Sequence, residues 1–171
     1  MRLAAVITLL LLPATTIVTD PRDAGGKLDL SGARAARDGA LLRLTVSTYS
    51  PWASKLLRSS GQGKSGPLPG RNRMTVLYDV NRDGRADYRG RVVYHGRLAM
   101  WLTGRGQAFE PVPVSRPSAS SARFVHPVDI FFTGRGVQKL GVAVTTVNGT
   151  HRDRMPNRGW FIVVYVPPGE R

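Results

Sequence analysis

The chain has no cysteine, two glutamates (Glu110 and Glu170), four lysines and one long apolar run in 171 residues. Without cysteine there is no disulfide scaffold, no thiolate-ligated zinc, no thiol nucleophile and no lipidated-cysteine anchor. With two glutamates, the acid pair of a glycosidase has to come from aspartates, and none is spaced for that role. A GxSxG motif is also missing. His95, His126 and His151 lack the spacing of a zinc site, so each is read as a solvated or turn residue. The length suits one ordinary domain.

The apolar run lies at the start. Arg2 is followed by LAAVITLLLLPATTIVT, and the chain turns polar at Asp20-Pro21-Arg22. A charged residue, an apolar stretch and then small and hydroxyl residues is the order of a secretory signal peptide, here residues 1–19. Ala14-Thr15-Thr16 and Ile17-Val18-Thr19 both offer cleavage sites. As a membrane span the run is short, and Pro13 interrupts it. A secreted, extracellular domain at 20–171 is expected, with no stable membrane span after cleavage.

Charge is one-sided. Against 11 acidic residues stand 25 basic ones, 21 of them arginine, for a net charge of +14. The excess is +1 over residues 1–19, +2 over 20–57, +7 over 58–105 and +4 over 106–171. Such a field draws an anionic partner such as an envelope polymer, or simply keeps the surface soluble. No run of five basic residues, groove-reading helix or base-stacking motif accompanies it, so nucleic acid is not expected.

Strand signals fill most of the remaining chain. KLDLSGARAAR and ALLRLTVSTY flank Asp38-Gly39, whose glycine accepts the positive φ of a tight hairpin turn. Leu42, Leu44, Val46 and Thr48 alternate with Arg43, Thr45 and Ser47, the pattern of a half-buried strand. Ser50-Pro51-Trp52 predicts a short helix to about Arg58. Residues 59–73 predict a Gly/Ser/Pro loop. Further strands are predicted at 74–80, 89–95, 97–103, 122–126, 128–132, 137–147 and 160–166. The Pro-rich stretch 107–121 predicts an edge or a long connection. About nine short strands and one short helix point to an all-β fold, an antiparallel β-sandwich of the jelly-roll or immunoglobulin-like kind.

The sharpest local signal is DVNRDGRADY at 79–88. Asp79, Asn81, Asp83 and Asp87 occupy positions 1, 3, 5 and 9 of a calcium loop, Gly84 takes the turn at position 6, and Arg85 offers its backbone carbonyl at position 7. A hard cation needs several oxygens at once, and alternate residues of a curled loop can supply them. The loop resembles the DxDxDGxxD calcium loops of dockerins and FG-GAP repeats over these ten residues, which implies a structural calcium ion clamping a hairpin end. It departs from an EF-hand at position 12, where Gly90 stands in place of a bidentate Glu. Weak affinity is therefore expected, in the range of about 10⁻⁴ to 10⁻³ M. The competing reading is a metal-free turn whose Asp side chains bond backbone amides. More broadly, SPW, NRDGRADY and DRMPNRGW make the chain similar to uncharacterised secreted β-sandwich proteins of high-GC Gram-positive bacteria. That resemblance implies export and a calcium-clamped sandwich, and no particular activity.

Other motifs fail on context. GQGKSG at 61–66 fits GxGxxG but follows no strand and runs into Pro67 and Pro69 instead of a helix. His151-Arg152-Asp153 lacks the asparagine spacing of a kinase catalytic loop. Trp52, Trp101 and Trp160 lie in or beside apolar segments and are assigned to the core in preference to a sugar-stacking platform. The sequence therefore predicts a secreted, non-catalytic, calcium-stabilised β-sandwich that binds an anionic or saccharide component of the cell envelope. The alternative is a secreted hydrolase or the accessory domain of an extracellular enzyme.

Overall fold

The computed structural model describes residues 15–64, 66–134 and 137–166. Fourteen strands carry the fold within these residues. They are β1 (Thr15–Thr19), β2 (Leu30–Asp38), β3 (Leu41–Thr48), β4 (Ser59–Gly63), β5 (Gly66–Pro69), β6 (Arg73–Asp79) and β7 (Tyr88–His95). Then come β8 (Arg97–Gly104), β9 (Gln107–Ala108), β10 (Val112–Ser115), β11 (Ser121–Pro127), β12 (Gln138–Asn148), β13 (His151–Met155) and β14 (Phe161–Tyr165). The all-β, antiparallel class expected from the sequence is what the chain forms.

One continuous sheet runs β1-β2-β3-β11-β10-β8-β7-β6-β12-β13 and folds into two layers. The corner is β10, which pairs with β11 through Val114 opposite Phe124 and with β8 through Val112 opposite Met100. Pro113 sits at this corner, where a missing N–H is least costly. At the far end the eleven residues of β12 pair with β6 along one edge and, along the other, with β14 over their first half and β13 over their second. Thr16 Oγ1 donates to the Ile162 carbonyl at 3.1 Å, bringing β1 against β14, so the sheet nearly closes into a barrel.

Between the layers lies one core. The inward side chains of β3 (Leu42, Leu44, Val46) meet Val76 and Tyr78 of β6, Met100 and Leu102 of β8, Phe124 of β11 and Leu140 of β12. Each large aliphatic or aromatic group removed from water in this way contributes roughly 1.5 to 3 kcal/mol. The outward positions of β3 are Arg43, Thr45 and Ser47, as the alternation predicts.

Local departures from expectation have physical reasons. The first hairpin turns at Gly39-Ala40 with Gly39 at φ +58°, while Asp38 stays in β2 opposite Leu41, a glycine-first turn one residue later than predicted. The helix expected after Pro51 is a single 3₁₀ turn, Ser54–Leu57. Ahead of it Ala53 is extended and Trp52 is buried, with the Arg116 guanidinium 3.8 Å over its ring and donating to its carbonyl at 2.6 Å. The loop expected at 59–73 contains the β4–β5 hairpin, and the Pro-rich connection contains β9 and β10. Residues 128–132 form a 3₁₀ turn, Val128–Ile130, and not a strand. The adjacent Phe131 and Phe132 are both buried, Phe131 against Tyr78 and His126 and Phe132 against Tyr165. Of the expected leader, residues 1–14 lie outside the described residues, and 15–19 form β1.

Candidate functional site

The loop from Asp79 to Asp87 joins β6 to β7, and its acidic side chains are spent largely on its own backbone. Asp79 Oδ2 accepts from Gly84 N at 2.9 Å, Asn81 Oδ1 from Asp83 N at 3.2 Å, and Asp83 Oδ1 from Arg85 N at 2.8 Å. Asp87 Oδ2 accepts from Val80 N at 2.7 Å and Asn81 N at 3.3 Å, and its Oδ1 faces Arg105 at 3.4 Å. Gly84, at φ +86°, supplies the reversal. One oxygen stands apart: Asp79 Oδ1 is buried and takes no hydrogen bond. It belongs to a residue lining a cavity of about 220 Å³ with Arg82, Gly84, Gly141, Trp160 and Ile162. Asn81 and Asp83 are exposed and bonded to each other at 3.1 Å.

Chain folding gathers a different set of acids more tightly. Among the described residues, the group of three acidic or histidine side chains whose donor atoms all lie within 4.8 Å of one another is Asp20, Asp23 and Asp153. At such distances two like charges near a protein surface repel by about 3 kcal/mol. Burial, helped by Asp153, Asp23 and Asp29, pushes the Asp20 carboxyl up to about 7. Asp153 is also raised, mainly by burial, although hydrogen bonds from the Leu30 and Arg154 amides oppose the shift. Sequence reasoning missed this cluster because its members come from the end of β1, the β1–β2 connection and β13. The only signal was three aspartates in ten residues at 20–29. Asp23 and Asp153 also line an adjacent cavity.

A third feature is basic. On the outward face of the first layer, Arg34 of β2 lies opposite Thr45 of β3, which lies opposite Arg123 of β11. Arg123 Nε donates to Thr45 Oγ1 at 3.3 Å. Two adjoining grooves, of about 340 and 150 Å³, share Arg34, Thr45 and Arg123, and Arg43 lines the smaller. Ser31, Ser47 and Thr19 line the larger. Among the described residues no carboxylate lines either one.

The aromatic and histidine expectations divide. Trp52 is buried, while Trp101 and Trp160 are half-buried. His95 and His151 are exposed, but His126 is fully buried, correcting its reading as a solvated residue. Its inward place on β11 puts it beside Tyr78 and Phe131. No family model, no curated protein and no solved structure matches this chain.

Proposed function

We propose that the protein is a secreted, non-catalytic β domain, stabilised by calcium at the loop Asp79, Asn81, Asp83, Arg85 and Asp87, that binds an anionic polymer or polysaccharide of the cell envelope. The observation that carries the binding role is the arginine face: Arg34, Arg43 and Arg123 brought to one pair of grooves and interleaved with hydroxyls. Guanidinium groups match phosphate, sulfate and carboxylate in a two-pronged geometry, and serine and threonine hydroxyls suit sugar oxygens. The calcium role draws on the spacing of the loop and on the buried, unpartnered Asp79 Oδ1.

A pull-down on a phosphate-rich wall polymer at about 50 and 500 mM salt tests the binding role, since exposed charge pairs are screened beyond roughly 10 Å at 0.1 M. Retention at low salt, loss at high salt and a severalfold drop in the Arg34→Ala/Arg123→Ala double variant are expected. Equal retention on a neutral polymer, or wild-type retention of the variant, refutes it. For the loop, Asp83→Ala should reduce the calcium-induced rise in melting temperature; an unchanged rise assigns calcium elsewhere.

A further inference from the structure

We propose that Asp20, Asp23 and Asp153, backed by Asp29, form a second cation site, one that takes a hard divalent ion of the calcium type. It is independent of the loop at 79–87.

The first support is the way the oxygens are used. Asp153 accepts from Leu30 N at 2.7 Å and from Arg154 N at 2.6 Å, which fixes the carboxylate in place and leaves each oxygen a further lone pair. Asp23 Oδ2 accepts from Asn157 Nδ2 at 2.8 Å. By contrast Asp20, 4% exposed, has a buried Oδ2 with no hydrogen-bond partner, and it lies within 4.8 Å of the donor atoms of both other members. Asp29, 1% exposed, has neither oxygen satisfied. A buried carboxylate with no donor is costly unless it is paired or coordinates a metal.

The second support is the missing arginine. The chain carries 25 basic residues, yet among the described residues none forms an ion pair with Asp20, Asp23 or Asp153. Asp29 has only Arg22 Nε at 3.9 Å, on a side chain that is 72% exposed. Arg154, next in sequence to Asp153, turns its guanidinium to the carbonyls of Pro156 and Gly159. In a protein of net charge +14, three clustered acids with no ion pair among the described residues, beside a fourth held only by the exposed Arg22, call for a cation from outside.

Donor chemistry selects the ion. The group offers carboxylate oxygens, an amide side chain from Asn157 and no sulfur or imidazole, so it suits a hard ion over zinc or copper. Asp23 is exposed and lines, with Asp153, Asn157 and the two arginines Arg152 and Arg154, a cavity of about 330 Å³ that gives an ion a route in. Seated there, the ion would tie the β1–β2 connection to β13, at the seam where the folded sheet nearly closes.

Calcium titration by calorimetry, with melting curves in calcium and in chelator at about pH 7.5, tests the site in the full chain as wild type, Asp23→Ala, Asp29→Asn and Asp83→Ala. Asp23 is exposed, so its variant should fold. The expected result is a wild-type melting temperature raised by calcium, as binding to the folded state requires. Asp23→Ala should bind at least about tenfold more weakly. Asp29→Asn should melt higher than wild type in chelator, because a buried carboxylate with no hydrogen-bond donor is gone, and should respond less to calcium. Asp83→Ala should keep the response of this site. Failure of calcium to shift the Asp83→Ala protein, or wild-type binding by Asp23→Ala, overturns the proposal. Loss of all response in Asp83→Ala alone refutes this site and favours the loop; loss in Asp23→Ala and Asp29→Asn alone supports this site and refutes the loop.

Discussion

Tyr78 Oη and His126 Nε2 lie 2.9 Å apart in the middle of the core, joining β6 of one layer to β11 of the other. Phe131 stacks on the Tyr78 ring at 4.4 Å and meets the histidine edge-on at 5.4 Å. This is a polar bond in an apolar shell, and both partners respond to that shell. Burial drives the tyrosine hydroxyl well above its ordinary range and the imidazole down to about 4.

A pH dependence follows from the histidine. Its folded value, about 4, lies below the ordinary 6.5, so between these values the unfolded chain binds the proton more readily than the folded one. The stabilisation is complete above about pH 6.5 and is lost as pH falls toward 4, a contribution of roughly 2 to 4 kcal/mol. An NMR titration should find the His126 ring neutral at pH 5.5; a midpoint near 6.5 would show that the ring reaches water.

Two glycines with positive φ separate strain from collision. Gly39, at +58°, has open space where a Cβ would go, so Gly39→Ala should cost about 1 kcal/mol of backbone strain. Gly66, at +104°, would place a Cβ 2.2 Å from the Trp101 ring, against which the β4–β5 hairpin packs. Gly66→Ala should cost about 3 kcal/mol or more, because the indole must move as well. Denaturant melts of the two variants measure the difference, and equal losses would contradict the packing of Trp101 on that hairpin.

The expected export leader and β1 compete for residues 15–19. A cut after Thr19 removes a strand that pairs with β2 along five residues and reaches β14 through Thr16. A cut within Ala14-Thr15-Thr16 leaves most of it in place. On the proposed export, N-terminal sequencing of the cleaved chain should therefore give a start between Thr15 and Ile17. A start at Asp20 would mean that the folded domain does without β1 and opens the edge of β2.

The sheet class was legible because alternation is a local property. In β3 the buried Leu42, Leu44 and Val46 and the outward Arg43, Thr45 and Ser47 announce a one-sided strand whatever it pairs with. The turn glycine of the first hairpin was legible for the same reason, to within one residue. Phe131 and Phe132 were not, since two adjacent aromatics look like strand until the core on one side of them is known.

The candidate clusters divide along the same line. Asp79, Asn81, Asp83 and Asp87 lie within nine residues, so spacing alone brings them into one loop, and the sequence by itself determined that candidate. Only the tertiary structure decided that most of their oxygens serve the loop's own amides, because a carboxylate's partners depend on how the backbone curls beneath it. Asp20 and Asp153 are 133 positions apart, and Arg34 and Arg123 are 89 apart. Their meeting is fixed by strand register, set by which apolar faces must share one core, and no run of neighbouring residues carries that information.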